Sequence, residues 1–129
     1  MPDDRVTVFI VDDDDAVRQS LVWMLAGVDL AGDAFASAEA FLASVTAQRR
    51  GCLLVDLHLP GLSGAALLDA LDARGFSLPV IVISGDVAVA DIVGTLQPRV
   101  FGYLRKPCSE HALLTQIRAA LTAAHRIAH

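Results

Sequence analysis

The run Val6-Thr7-Val8-Phe9-Ile10-Val11 stops without a break at four aspartates, Asp12-Asp13-Asp14-Asp15. A buried strand formed by that run delivers several carboxylates to one point. Carboxylates packed so closely repel each other unless a cation or protons offset the charge, and hard divalent ions such as Mg²⁺ or Ca²⁺ favour oxygen ligands. The plain alternative is a solvated acidic turn that caps the following helix, since Asp is favoured at helix N-termini. Three further residues stand at comparable places: Asp56 after Cys52-Leu53-Leu54-Val55, Ser84 after Val80-Ile81-Val82-Ile83, and Lys106 after Val100-Phe101-Gly102-Tyr103-Leu104-Arg105. Together they could do phosphoryl chemistry. Asp12 and Asp13 can hold Mg²⁺, directly or through water, because that ion takes one or two carboxylates and keeps several waters. Asp56 can bind the metal and attack phosphorus as a carboxylate nucleophile. Lys106 offers a mobile ammonium to a phosphoryl oxygen, and Ser84 offers a hydroxyl donor. Phosphoryl transfer needs mainly positioning and charge neutralisation, and these groups supply both.

Such a convergence requires strands that end side by side. The chain alternates short β-branched runs with helical patterns. Val17, Leu21, Met24 and Leu25 recur at helix spacing after the first run. A weaker strand is expected over 30–35, and Ser37 is placed to cap a helix carrying Phe41, Leu42 and Val45. Cys52-Leu53-Leu54-Val55 reads as a buried strand, and the breakers of Asp56-Leu57-His58-Leu59-Pro60-Gly61-Leu62-Ser63-Gly64 form a loop. Leu67, Leu68 and Leu71 mark a third helix that ends at Arg74-Gly75. A strand over 80–83, a fourth helix over about 87–96, a fifth strand over 100–104 and a last helix capped by Ser109 complete the pattern. Continuous apolar strands that alternate with helices give a parallel sheet covered on both faces, a three-layer α/β sandwich with right-handed crossovers. Ligands of such sheets bind outside the carboxyl ends of the strands, at the switch point of the strand order. In the order 2-1-3-4-5 the switch lies between strands one and three, so Asp12, Asp13 and Asp56 converge, with Ser84 and Lys106 beside them.

The bulk properties bound the rest. A chain of 129 residues with 54 % apolar residues and a mean hydropathy of +0.53 is long enough for one packed domain, and disorder is not expected. A net charge of −5 argues against gripping nucleic acid by the bulk field. No apolar run approaches a membrane span, and the N-terminus lacks the pattern of a signal peptide. The two cysteines, Cys52 and Cys108, have no metal-ligand spacing and are expected as reduced thiols in a cytoplasmic protein. Neither glycine-rich nucleotide fingerprint is present.

Four segments in order carry a resemblance: Val11-Asp12-Asp13-Asp14, the Val55-to-Gly64 stretch, Ile83-Ser84-Gly85, and Tyr103-Leu104-Arg105-Lys106-Pro107. The chain resembles a response-regulator receiver domain of two-component signalling, over about residues 6–122. Val17-Arg18-Gln19-Ser20-Leu21 and Ser37-Ala38-Glu39-Ala40-Phe41-Leu42 resemble the FixJ subgroup. The resemblance implies a flavodoxin-like fold with five strands and five helices, built as a single receiver domain over 1–129. It implies that Asp56 accepts phosphate from the phosphohistidine of a sensor histidine kinase. Asp12, Asp13, Asp56 and the main-chain carbonyl of His58 would hold Mg²⁺, and Ser84 and Lys106 would contact the phosphoryl group. Tyr103 would be the aromatic that turns inward as Ser84 moves, and Lys106-Pro107 is the bond usually found cis in the family. Two arrangements stay open, a stand-alone receiver and the regulatory part of a longer transcription factor, and the FixJ-like texture favours the second, with a DNA-binding output domain outside this chain.

The remaining candidates are assigned more plainly. Asp14 and Asp15 belong to the helix start, and Cys108 is a small packing residue. The side chains of His58 and Asp86 lie at the rim, and Leu25, Phe41, Leu71 and Ile117 are core. The segment from Asp86 to Gly102 departs from the family. The expected fourth helix carries one charge, Asp91, and is apolar nearly all round, and Gln97-Pro98-Arg99 stands where the family usually has a small residue, Gly and Ala. An exposed apolar face marks a partner surface, so the fourth helix, fifth strand and last helix are expected to form a homodimer face. Two other readings compete. A phosphohydrolase of the haloacid-dehalogenase type also uses a strand-end Asp and Mg²⁺, but expects a second Asp where His58 stands. A degenerate receiver acting as a constitutive binding module would not need the complete polar set.

Overall fold

The computed structural model describes residues 6–56, 64–85 and 100–127. Three of the apolar runs become the inner strands β1 (Thr7–Val11), β3 (Gly51–Asp56) and β4 (Val80–Ser84), buried along their whole length except at Asp56. β2 (Ala31–Phe35) and β5 (Val100–Arg105) are only partly buried, because they are the sheet's edges. All pairings are parallel and the order is β2-β1-β3-β4-β5, as the sequence predicts.

Alternation along the strands divides the core into two layers. Phe9 and Val11 of β1, with Leu53, Val55, Val80 and Val82, face α2 (Ala38–Ser44) and α3 (Gly64–Ala73) through Phe41, Leu67, Leu68 and Leu71. Val8 and Ile10, with Cys52, Leu54, Ile81 and Ile83, face α1 (Asp15–Ala26) and α4 (Glu110–Ile127) through Leu25, Leu113 and Ile117. Phe41 anchors the first layer by edge contacts with Phe9 and Phe35, at centroid distances of 5.8 and 5.5 Å. The helix starts use the residues expected: Asp14 accepts from the N–H groups of Ala16 and Val17, Ser37 from Ala40, and Ser109 from Ala112.

Two backbone features place the site. Gly51 opens β3 at φ 139°, where a Cβ would lie 1.7 Å from the Thr7 carbonyl oxygen, so only glycine lets β3 start flush against β1. In β5 the register with β4 slips by one residue: Val80 pairs with Val100, but Ile81 pairs with Gly102 and Ser84 with Arg105. Phe101 is the extra, exposed residue. The bulge lets Val100 and Tyr103, an odd number of residues apart, share the first core layer, and it sets Lys106 immediately beyond Ser84.

The strand boundaries differ from expectation by a residue. β3 includes Gly51 and Asp56, and β5 reaches Arg105, because pairing with a neighbouring strand continues past the last apolar side chain. Four helices are seen among the described residues. The expected fourth helix over 87–96, the residues Asp86 and Gln97-Pro98-Arg99, and the loop 57–63 with His58 lie outside them.

Candidate functional site

Each polar candidate stands at the carboxyl end of its strand. Asp12 follows β1, and its N–H donates to the Phe35 carbonyl at 3.2 Å, one rung beyond the last paired residues. Its side chain is buried. Oδ1 accepts from the Asp14 N–H at 3.0 Å and Oδ2 from Lys106 Nζ at 3.4 Å. Asp56 closes β3, and its Oδ2 accepts from Lys106 Nζ at 3.1 Å. Asp13 is exposed at the rim, with a carboxylate oxygen within 4.8 Å of those of Asp12 and Asp56. Ser84 is fully buried at the end of β4. Its carbonyl accepts from the Lys106 N–H at 2.8 Å, which fastens the base of the lysine to β4. The Lys106–Pro107 peptide is cis, as the resemblance implies.

The aspartate run divides at Asp14. Asp14 turns away from the pocket to cap α1, and Asp15 pairs with Arg18, which is the role the sequence assigns them. Tyr103 is half-buried against the α2–α3 core layer. Cys52 is core, and burial pushes its thiol up to about 12. Cys108 is half-buried on a groove of about 270 Å³ between α1 and α4 that reaches Asp12 and Lys106.

The electrostatics are unbalanced. Burial works against the charge of Lys106, but the hydrogen bond it donates to Asp56, the charges of Asp12 and Asp56, and the bond it donates to Asp12 outweigh it. The ammonium therefore holds its proton above the ordinary lysine value. Among the described residues it is one ammonium against three carboxylates. An all-oxygen donor set with surplus negative charge fits a hard divalent ion, and Asp13 is the exposed member of the set. One contributor has no counterpart in the sequence reading: Arg18 donates to the main-chain carbonyl of Asp12 at 2.7 Å. A lone arginine one turn into a helix, after an acidic run, was the available signal.

A profile of the response regulator receiver domain matches residues 8–118. The chain belongs to the response regulator receiver family. The receiver is 39 % identical over 121 residues to the transcriptional regulatory protein FixJ of Azorhizobium caulinodans, covering 94 % of this chain and 57 % of that protein. It is 38 % identical over 117 residues to the transcriptional regulatory protein TdiR of Thauera aromatica, covering 89 % and 51 %. The crystal structure of FixJ-N superposes with a TM-score of 0.81 at 36 % identity, covering 95 % of this chain and 96 % of that one. The receiver thus spans about half the length of these curated relatives, which are named as transcriptional regulators. Membership makes it a phosphorylation-switched signalling receiver of the kind that works with sensor histidine kinases, rather than an enzyme turning over an external substrate. It also removes the phosphohydrolase reading. No helix among the described residues is long and apolar enough to cross a membrane.

Proposed function

We propose that residues 1–129 act as one receiver unit in which Asp56 is the phosphoacceptor. The observation that carries this reading is the contact of Lys106 Nζ with both Asp56 and Asp12 inside a three-carboxylate cluster. Asp12, Asp13 and Asp56 hold Mg²⁺, with the main-chain carbonyl of His58 as a fourth protein ligand carried over from the resemblance. The ion, when bound, offsets the charge of the phosphoryl oxygens. A carboxylate oxygen of Asp56 attacks phosphorus of the kinase phosphohistidine. The new O–P bond forms as the N–P bond breaks, and the imidazole leaves with the electron pair. Lys106 exchanges its carboxylate partner for a phosphoryl oxygen, and the Ser84 hydroxyl donates to another. Tyr103, on the edge strand that leads into Lys106, follows Ser84 inward. Output passes through the face expected of the fourth helix, β5 and the last helix α4, where Phe101 of β5 stands exposed, to a second copy or to a DNA-binding domain outside this chain. The receiver itself needs no contact with DNA or membrane, and the location proposed for it is the cytoplasm.

Labelling with acetyl phosphate tests the central claim. Wild type is expected to take up one phosphoryl group only with Mg²⁺ present, and Asp56→Asn none. Wild type that binds Mg²⁺ and still takes no label, or Asp56→Asn that labels normally, overturns it. Sedimentation of the protein with a phosphoryl analogue tests the output face: a monomer at high concentration removes the homodimer.

A further inference from the structure

Every polar atom of Asp12 has a partner, and the partner of its carbonyl is unusual. The parallel ladder between β1 and β2 ends with the Asp12 N–H on Phe35. In a longer strand the Asp12 carbonyl would accept the next rung from β2. Here it accepts from Arg18 instead, at 2.7 Å. The Arg18 side chain is only 16 % exposed, and its other terminal nitrogen is tied to Asp15. Its own N–H bonds the Asp14 carbonyl at 3.0 Å within α1. The guanidinium is thus fixed at the helix end and at the carboxylate, and it grips the peptide that joins Asp12 to Asp13.

We propose that Arg18 is a positioning residue for the metal-binding pair, holding the Asp12–Asp13 peptide so that both carboxylates face one point. This rests on the reading of Asp12 and Asp13 as Mg²⁺ ligands. The strand ends at Val11 and the chain bends at Asp13, so the two adjacent carboxylates converge only at one setting of the peptide between them, and rotation of that peptide would swing Asp13 away from Asp12 and Asp56. Asp12 is held at four atoms, whereas the exposed Asp13 carboxylate depends on the peptide before it. A positive group beside three carboxylates has an opposite effect too, since it weakens cation binding by charge alone. The two effects predict different signs, so they can be separated.

The experiment is titration calorimetry with MgCl₂ on the unphosphorylated chain, comparing wild type with Arg18→Met, Arg18→Lys and Asp14→Ala. If Arg18 positions the pair, Arg18→Met binds Mg²⁺ about tenfold more weakly, in the range seen when groups that orient metal ligands are removed. Arg18→Lys recovers at least half of that loss on a logarithmic scale, because an ammonium can still donate to the carbonyl. Asp14→Ala, which loses the helix cap and so some stability, keeps affinity within about twofold; affinity that merely followed stability would fall here too and would overturn the assignment. Equal or tighter binding by Arg18→Met also overturns it, since that is the result of charge alone. If Arg18→Met does not fold, Arg18→Gln decides in its place: weaker Mg²⁺ binding supports positioning, and equal or tighter binding, the result of charge alone, refutes it. A wild type that binds no Mg²⁺ removes the metal site itself, and this assignment with it.

Discussion

Replacing Lys106 with Met removes the single ammonium from the pocket while keeping an apolar stem of similar reach. At an effective dielectric of about 20, unit charges 3.1 and 3.4 Å apart attract by roughly 5 kcal/mol each. That sum is far from the net effect. The Lys106 side chain is 34 % exposed, so solvent screens it, and the free ammonium regains hydration on unfolding. A loss of about 2 kcal/mol in metal-free buffer is what remains. Saturating Mg²⁺ should narrow the penalty to about 1 kcal/mol, because a divalent ion then neutralises the same carboxylates. The difference must reappear as tighter metal binding by the variant, about fivefold for roughly 1 kcal/mol, since linkage makes the two couplings equal. Urea unfolding of both proteins in EDTA and in Mg²⁺ gives one side of the cycle, and Mg²⁺ titration of the native proteins gives the other. Unchanged m-values would assign the shift to stability rather than to a looser native state. The reasoning fails if Lys106→Met is as stable as wild type in EDTA, or if its penalty is the same with and without metal.

Gly51→Ala should cost at least ~3 kcal/mol or prevent soluble folding, because its Cβ would collide with the Thr7 carbonyl at a backbone angle that suits glycine; chemical denaturation of any soluble fraction measures it. Stability should fall in alkali. The folded pKa of Cys52 is raised from 9.0 to about 12, so its contribution is intact below pH 9 and declines by at most ~1.4 kcal/mol per pH unit as the unfolded thiol ionises. Lys106, also raised, adds a loss of the same sign above its unfolded value, and Cys52→Ala should show a shallower alkaline slope than wild type in urea midpoints at pH 8 and 10. Asp14→Ala should lose about 1 kcal/mol with the two N–H groups it caps yet still label at Asp56, whereas a loss of labelling would return Asp14 to the pocket.

How much of this was legible in the sequence depends on the range of the forces involved. The inner strands were legible because burial on both faces forces an unbroken apolar run, and Val8 to Val11 or Val80 to Ile83 has no other use. The helix caps were legible because a cap is a contact within three residues, so Asp14, Ser37 and Ser109 carry their own signal. The division of the aspartate run followed from the same local rule. What escaped was non-local. Nothing in Val100-Phe101-Gly102 announces a bulge, since it arises only when β5 is laid against β4 and both Val100 and Tyr103 must reach the same core layer. Arg18 escaped for a related reason. Its spacing from Asp12 is neither a helical nor a strand period, because the chain changes from one to the other between them.

The charge count of the pocket suggests why four strand ends, and not one loop, build it. Among the described residues, Asp12, Asp13 and Asp56 with Lys106 leave two negative charges unbalanced, the charge of Arg18 being met by Asp15, and that is an amount one divalent ion cancels. In the proposed reaction Asp56 gives up its carboxylate charge and gains a phosphoryl group carrying about two. The pocket therefore becomes more negative by only about one charge. So small a net change would switch little by field alone. Geometry makes the larger difference, because the new charge sits on oxygens farther out than the Asp56 carboxylate. Lys106 must then follow from β3 toward that position, and it is fastened at its base to the Ser84 carbonyl of β4. In that reading, movement of the ammonium would be passed to β4 and β5, at the edge of the sheet where Tyr103 is only half-buried. A site confined to one loop could bind the same phosphoryl group, but it would have no second strand to pull.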